Sequence, residues 1–135
     1  SLQEMVAYKM SLRHGTCIKI VGDIPRDAKQ YMINLGKDEF NIGLHFNPRF
    51  NHENIIKKIV CNSKSDGMWG KELREQDFPF VPGTTAEISI TFEANGFKVR
   101  LPDGFEFTFP NRLKLQNLNY LEIGRDILVR SVTFK

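Results

Sequence analysis

The sequence predicts an all-β protein, built as an antiparallel β-sandwich or barrel. Apolar and polar residues alternate in most segments, and successive side chains of a strand point to opposite faces of a sheet. Turn-forming pairs separate these segments, and no segment sustains an apolar stripe of helical period. Because many short alternating strands at near-regular spacing are typical of sandwiches and barrels, these observations together predict the fold class.

The expected strands follow one another along the chain. In order they are Met5–Met10, Thr16–Val21, Tyr31–Leu35, Phe40–Phe46, Ile56–Asn62, Ala86–Phe92, Phe97–Leu101, Phe105–Phe109 and Ile127–Phe134. Turns at Asn95-Gly96 and Pro102-Asp103-Gly104 predict a hairpin that continues as a meander. Asp66-Gly67 and Pro82-Gly83 mark further turns. The best candidate for a helix, Asn111–Leu118, is short.

Composition and charge bound the class of protein. The chain of 135 residues is 41% hydrophobic and 26% charged, which is typical of one globular domain, residues 1–135. The net charge of +3 is dispersed, so nucleic acid is not an expected partner. No apolar run is long enough to span a membrane. The eleven phenylalanines are expected to fill the space between two sheets.

Cysteine content and the N-terminal residues bear on location. Cys17 and Cys61 are too few for a disulfide framework, which favours a reducing compartment. The segment Ser1–Met5 lacks the pattern of a signal peptide. We therefore expect a cytoplasmic protein.

One strand carries unusual polar chemistry on its outer face. If extended backbone continues through Arg49, then His45, Asn47 and Arg49 share one face, roughly 7 Å apart along the strand. Leu44 and Phe46 would anchor the opposite face in the core. This arrangement sets an imidazole, a carboxamide and a guanidinium side by side. An ordinary solvated strand face is the alternative.

A second polar cluster follows Asn62 and the Asp66-Gly67 turn. It contains the only tryptophan, Trp69, followed by Glu72 and Arg74. If this segment is extended, Glu72 and Arg74 face the same way and can form an ion pair. A core position for Trp69 is the alternative, because tryptophan is highly buried on average.

Together the two clusters match the chemistry of a sugar. A sugar offers hydroxyl groups that both donate and accept hydrogen bonds, and a patch of C–H bonds on one ring face. Arginine supplies a donor fork, a carboxylate only accepts, and asparagine and histidine do both. We therefore expect Arg49 and Glu72 to hold each other and share a hydroxyl, with Trp69 as the stacking surface.

These residues resemble the carbohydrate signature of the galectins. The signature positions are His45, Asn47, Arg49, Asn62, Trp69, Glu72 and Arg74. Phe46–Phe50, Val60–Ser63 and Leu121–Ile127 also resemble the family, so the likeness covers essentially the whole chain. It is similar to the small dimeric (proto-type) galectins. The resemblance implies a jelly-roll (concanavalin A-like lectin) sandwich of two sheets and a single carbohydrate-recognition domain over residues 1–135.

The resemblance also implies a calcium-independent lectin for β-galactosides such as lactose and N-acetyllactosamine, with no cofactor and no metal. It implies that His45, Asn47 and Arg49 contact the axial 4-hydroxyl of galactose. Asn62 and Glu72 would take the 6-hydroxyl.

The remaining signature residues have implied roles as well. Trp69 would stack on the apolar face of the galactose ring. Arg49, Glu72 and Arg74 would reach the neighbouring glucose or N-acetylglucosamine. An equatorial epimer would leave the polar strand face without its hydroxyl partner, and unpaired buried polar groups are costly.

Partners and location follow from the same resemblance. It implies binding to β-galactoside-bearing glycans of glycoproteins and glycolipids, and a homodimer formed through the terminal segments Met5–Tyr8 and Val129–Phe134. It implies a cytoplasmic protein that also acts outside the cell after non-classical secretion. Neither nucleic acid nor membrane insertion is expected.

The loop Asn51–Ile55 departs from the family pattern. Glu53 lies two positions before the acidic residue that some galectins use to orient the arginine, and Ile55 stands in the expected place. Specificity for longer or substituted galactosides is therefore left open.

Three other functions are weighed against the lectin. A glycosidase needs two carboxylates flanking the scissile bond, but Arg49 and Arg74 favour the charged form of Glu72, which is wrong for a general acid. An intracellular lipid-binding β-barrel has a similar length, yet no segment supplies its helical lid. A galectin-fold protein interaction module with a non-functional sugar site is the third.

Overall fold

The computed structural model describes residues 3–135, which form β-strands joined by turns and no helix. The strands are β1 (Gln3–Ala7), β2 (Leu12–Arg13), β3 (Cys17–Asp23), β4 (Tyr31–Asp38), β5 (Asn41–His52), β6 (Ile55–Ser65), β7 (Met68–Trp69), β8 (Leu73–Glu75), β9 (Thr85–Phe92), β10 (Gly96–Arg100), β11 (Glu106–Pro110), β12 (Asn117–Leu118), β13 (Tyr120–Arg125) and β14 (Leu128–Phe134). The all-β prediction is confirmed. Ser1 and Leu2, with which the predicted domain begins, lie outside the described residues.

Two antiparallel sheets pack face to face. The larger has seven strands in the order β1-β13-β4-β5-β6-β7, with β8 also paired to β6. The smaller has five strands in the order β11-β10-β9-β3-β14. Ile33 and Phe46 of the larger sheet and Ile88 and Phe97 of the smaller belong to one buried core. The predicted sandwich is therefore confirmed, and the hairpin and meander of β9, β10 and β11 are found as expected.

The segment with the best helical pattern is not a helix. Within Asn111–Leu118 the chain makes turns and then the short strand β12. The Asn111 side chain donates to the Leu115 carbonyl at 3.1 Å and accepts from the Leu115 backbone N–H at 3.0 Å. Lys114 has φ +52°, which a right-handed helix does not allow. These local bonds replace helical ones, as asparagine side chains often do.

Phenylalanine fills the core only in part. The buried ones are Phe46, Phe50, Phe80, Phe92, Phe97 and Phe109. Phe40, Phe105 and Phe134 are exposed, Phe40 by 58%. Phe40 lies in the turn before β5, and Phe105 directly precedes β11, so the alternation that predicted them inside starts one residue too early.

Two tight turns bring the site strands together. Glu53 and Asn54 join β5 to β6 with φ values of +49° and +64°, and Asp66 and Gly67 join β6 to β7 with +48° and +80°. Two-residue turns with positive φ at both positions match the twist of antiparallel strands. They lay β5, β6 and β7 side by side.

No helix within residues 3–135 could cross a membrane.

Candidate functional site

A row of polar side chains crosses the larger sheet. Glu122 of β13 lies opposite Asn34 of β4, Asn34 lies opposite His45 of β5, and His45 lies opposite Asn62 of β6. Opposite side chains of antiparallel strands have Cβ atoms about 5 Å apart. Their sequence neighbours point into the core, so this row occupies the outer face of the sheet. We name these four residues the polar row.

His45 is half-buried and held on two sides. Its Nδ1 lies 2.6 Å from Asn34 Oδ1, and its ring centroid lies 4.8 Å from that of Trp69. Burial lowers the pKa of His45 to about 4, and the charges of Arg49 and Lys64 act in the same direction. The imidazole is therefore neutral at neutral pH.

Asn47 is only 2% exposed and has its carboxamide fully oriented. Its Nδ2 donates to Gln30 Oε1 at 3.0 Å and to the Tyr31 carbonyl at 2.8 Å. Its Oδ1 accepts from Arg49 Nε at 2.9 Å. Buried polar groups are held most rigidly when every partner is present, so Asn47 fixes the direction of the arginine.

Arg49 has partners other than the expected one. Its Nη1 lies 3.7 Å from Glu53 Oε2, whereas Glu72 accepts from Arg74 Nε at 2.7 Å. The predicted Arg49–Glu72 pair is therefore wrong, although the Glu72–Arg74 pair is found as expected. Glu53 reaches Arg49 from its position in the β5–β6 turn. The turn conformation thus lets Glu53 take the place of the acidic residue that the loop was expected to lack.

Two residues that sequence analysis missed complete a ring of polar contacts. Gln30 Nε2 lies 3.2 Å from His52 Nε2, and His52 Nε2 lies 3.4 Å from Glu53 Oε1. Glu53, Arg49 and Asn47 then lead back to Gln30. An isolated bridge aligns Gln30 with Arg49, and only that cross-strand register could have identified it. We name these five residues the arginine ring.

Asn62 is buried beneath the β6–β7 hairpin. Its Nδ2 donates to the Gly70 carbonyl at 3.0 Å, and its Oδ1 accepts from the Ser63 backbone N–H at 2.8 Å and from Arg112 Nη1 at 3.4 Å. A Cβ on Gly70 would lie 3.1 Å from Ser63 Oγ and 3.2 Å from Arg112 Nη1. Glycine therefore lets the chain pass close to Asn62 on its way to Glu72.

Trp69 lies on the surface and not in the core. Its side chain belongs to the two-residue strand β7 and is 50% exposed. Lys64, its register partner on β6, has Nζ 4.5 Å from the ring centroid. A half-exposed indole beside His45 is an unusual use of a tryptophan, and it favours the stacking interpretation over the core one.

Two adjoining cavities open on this face of the sheet. The first has a volume of about 310 Å³ and is lined by His45, Arg49, Val60, Asn62, Trp69 and Glu72. The second, of about 640 Å³, shares His45, Arg49 and Trp69 with the first and extends along Asn34, Glu122 and Arg125. Asn47 lines the second cavity, and Arg74 contacts the first through Glu72. Within residues 3–135, His, Cys, Asp and Glu form no group of three that could hold a metal ion.

The geometry is that of a shallow polar groove with one aromatic wall. The sequence of the chain is similar to sequences of known proteins. The family model for galactoside-binding lectins matches residues 4–134. The chain belongs to this family. Galectin-1 of Ovis aries is 49% identical to this lectin over 131 residues, which cover 97% of each chain.

Solved lectin structures share the fold. CG-16, a homodimeric agglutinin from chicken liver, is 43% identical, with a TM-score of 0.94 and coverage of 97% of this chain and 98% of that one. A toad ovary galectin in complex with thio-digalactose is 34% identical, with a TM-score of 0.95 and coverage of 100% and 99%. These likenesses confirm the galectin resemblance and the lectin-type sandwich.

Proposed function

We propose that this lectin binds β-galactosides in the cavity between His45, Arg49 and Trp69, without a metal or a cofactor. The observation that carries the proposal is the half-exposed Trp69 beside polar side chains whose directions are already fixed. Such a surface offers a stacking plane and oriented hydrogen-bonding groups to one sugar ring. Binding, and not catalysis, is the proposed activity, as in the lectins of its family.

The axial 4-hydroxyl of galactose is proposed to meet the β5 side chains. Arg49 retains terminal N–H groups beyond its Nε bond, and Asn47 Oδ1 retains a second lone pair. His45 contributes the ring nitrogen that faces away from Asn34. An equatorial hydroxyl would leave these groups unpaired, at a cost of about 1–3 kcal/mol for each buried group.

The rest of the disaccharide is proposed to lie toward β6, β7 and β8. Asn62 and Glu72 line the first cavity beside Trp69 and are assigned to the 6-hydroxyl. The ion-paired Glu72 and Arg74 have side chains 37% and 49% exposed, and together with Arg49 they are assigned to the neighbouring glucose or N-acetylglucosamine.

Calorimetric titration with lactose tests this function. The titration is run in EDTA, with cellobiose as the equatorial control. We expect lactose alone to bind, with a Kd of ~0.01–1 mM, which is roughly −4 to −7 kcal/mol. No heat from millimolar lactose would contradict the proposal and would favour a protein interaction module. Heat from lactose in a parallel titration with calcium, but none in EDTA, would contradict independence from calcium.

A homodimer is the second part of the proposal. β1 lies at one edge of the larger sheet and β14 at one edge of the smaller, and Leu128 and Phe134 on β14 are exposed apolar residues. Exposed edges pair with other strands unless they are protected. A bivalent lectin would cross-link glycans through avidity. Sedimentation equilibrium at tens of micromolar should give twice the chain mass of 15.6 kDa, and a monomer would contradict the dimer.

Glycoproteins and glycolipids that carry β-galactosides are the proposed partners. The location in the cytoplasm and outside the cell stays a prediction. Fractionation of expressing cells and assay of their medium, with a cytoplasmic marker to exclude lysis, would test it.

A further inference from the structure

The polar row runs from His45 through Asn34 to Glu122, and neither Asn34 nor Glu122 belongs to the carbohydrate signature. Asn34 is 6% exposed, and its Nδ2 donates to Glu122 Oε1 at 3.0 Å. The same Glu122 oxygen accepts from the Tyr120 hydroxyl at 2.9 Å. Asn34 Oδ1 is turned the other way, to His45 Nδ1 at 2.6 Å. Four side chains from three neighbouring strands thus form one chain of hydrogen bonds.

The direction of donation along this chain of hydrogen bonds follows from the carboxylate of Glu122 at its end. A carboxylate only accepts hydrogen bonds, so Asn34 must present its amino group to Glu122. The carboxamide oxygen then faces His45, and an oxygen of this kind also only accepts. His45 Nδ1 must therefore carry a proton. A neutral imidazole has one N–H, which leaves Nε2 as an acceptor.

We propose that Glu122 is a positioning residue for galactoside binding, because through Asn34 it holds His45 in the tautomer whose Nε2 accepts a hydrogen bond from the sugar. This inference rests on the proposed galactoside site. Glu122 does not need to touch the core disaccharide in order to act.

The acceptor at Nε2 complements the donors of Arg49. A hydroxyl has one proton to donate and two lone pairs with which to accept. Between His45 Nε2 and the Arg49 guanidinium it can use both capacities at once. Without Glu122 only a weak acceptor, Met32 Sδ at 3.3 Å, still holds Asn34 Nδ2, so the carboxamide can turn and offer its amino group to Nδ1. His45 would then carry its proton on Nε2, and the hydroxyl would face donors on both sides.

The test uses the whole chain and three variants. Glu122→Ala removes the acceptor, Glu122→Gln retains an amide oxygen that can accept the same bonds, and Glu87→Ala removes an exposed glutamate of the smaller sheet as a matched control. Long-range ¹H–¹⁵N NMR spectra of the free proteins report which ring nitrogen of His45 is protonated. Calorimetry with lactose on the same samples reports binding.

We expect wild type, Glu122→Gln and Glu87→Ala to show the proton on Nδ1. Glu122→Ala should shift the His45 signals toward the Nε2–H form and bind lactose about 3- to 10-fold more weakly, which is the worth of one hydrogen bond. A merely structural role for Glu122 would weaken binding without moving the tautomer signals.

Several outcomes would overturn the inference. Lactose binding with an unchanged tautomer in Glu122→Ala would remove Glu122 from the positioning role, and so would a Glu122→Gln variant that behaves like the alanine one. If Glu122→Ala does not fold, the wild-type spectrum still tests the inference. An Nε2–H tautomer of His45 in the wild type would contradict the proposed direction of the hydrogen bonds. Absence of lactose binding in the wild type, with the expected tautomer, would instead contradict the proposed function.

Discussion

The two halves of the groove are built differently. On β5, Asn47 and Arg49 belong to the arginine ring and His45 belongs to the polar row, so each side chain is held by at least one other side chain. On β7 and β8 and in the segment between them, Trp69, Glu72 and Arg74 are exposed. Glu72 and Arg74 are held chiefly by each other.

This difference assigns selectivity to the β5 half of the groove and contact area to the β7–β8 half. Side chains that are already oriented lose little freedom when a ligand binds, and they penalise a hydroxyl in the wrong place. Exposed side chains supply surface and adapt to what lies against them. We therefore expect substitutions in the β5 half to alter both stability and binding, and those in the β7–β8 half to alter binding alone.

Asn47→Ala should have the largest effect. The substitution leaves Gln30 Oε1, the buried Tyr31 carbonyl and Arg49 Nε without their partner. We expect the free energy of unfolding to fall by about 1–3 kcal/mol and lactose binding to become undetectable. Urea unfolding and calorimetry would measure the two effects. Unchanged stability would show that the arginine ring does not make the β5 half rigid.

Trp69→Ala should abolish retention on a galactoside matrix and leave the fold intact. The indole is half-exposed, so its removal should change the free energy of unfolding by no more than about 0.5 kcal/mol. Trp69→Phe keeps an aromatic surface and serves as the matched control, with partial retention expected. A large drop in melting temperature for Trp69→Ala would mean that the tryptophan is a core residue.

Arg49→Lys should weaken lactose binding by about 10- to 100-fold. An ammonium cannot reproduce the guanidinium fork that bonds Asn47 and approaches Glu53, and one charge-assisted hydrogen bond is worth about 1.5–3 kcal/mol. Arg74→Lys, in the exposed half, should weaken binding less when the two are titrated in parallel. If both variants lost the same amount of lactose affinity, the two halves of the groove would not differ in how their arginines contribute to binding.

Acidification should act on the β5 half through His45. Burial lowers the pKa of His45 from about 6.5 to about 4; Arg49 and Lys64 act in the same sense, and Glu122 and Glu72 oppose it. Between these pH values the unfolded chain binds a proton that the folded chain does not. With respect to His45, the free energy of unfolding is therefore highest above the unfolded pKa. It decreases by up to about 3 kcal/mol as the pH falls toward 4.

A His45→Gln variant provides the control for this titration. It lacks the imidazole, so its free energy of unfolding should fall less steeply between pH 6.5 and 4. Lactose affinity of the wild type should stay level down to pH 5.5 and decrease near pH 4, where Nε2 becomes a donor. Parallel pH curves for the two proteins would contradict the lowered pKa.

Tyr31→Phe should have the smallest effect, and a favourable one. The Tyr31 hydroxyl is buried and has no hydrogen-bond partner among the described residues, and burial raises its pKa well above the usual value. Removing it should increase the free energy of unfolding by about 1 kcal/mol without changing lactose affinity. Chemical unfolding of both proteins would measure this, and a loss of stability would mean that the hydroxyl has a partner.

The sequence predicted what depends on local pattern. Alternation placed His45, Asn47 and Arg49 on one face of β5, and the Asp66-Gly67 pair marked the turn that precedes Trp69. Both follow from the period of a strand and from the φ values that a tight turn requires. These signals lie within a few residues, so one chain without relatives is enough to find them.

The partners of these residues could not be predicted in the same way. Arg49 pairs with Glu53 and not with Glu72, because the turn conformation and not the residue count sets where that carboxylate points. Asn34 and Glu122 meet His45 only through the pairing of β13, β4 and β5. Cross-strand register between distant segments leaves no trace in local periodicity, so these contacts required the structure.

The register also sets an order in which the groove assembles during folding. The β5–β6 hairpin closes through Glu53 and Asn54 alone, whereas the Asn34–Glu122 bond joins residues 88 positions apart. Closing a long loop costs more chain entropy than closing a short one, and contacts of large sequence separation form late. The strands around Trp69 should therefore form before β13 docks and His45 gains its complete set of partners. In a refolding experiment, tryptophan fluorescence should reach its final value before the ability to bind lactose returns.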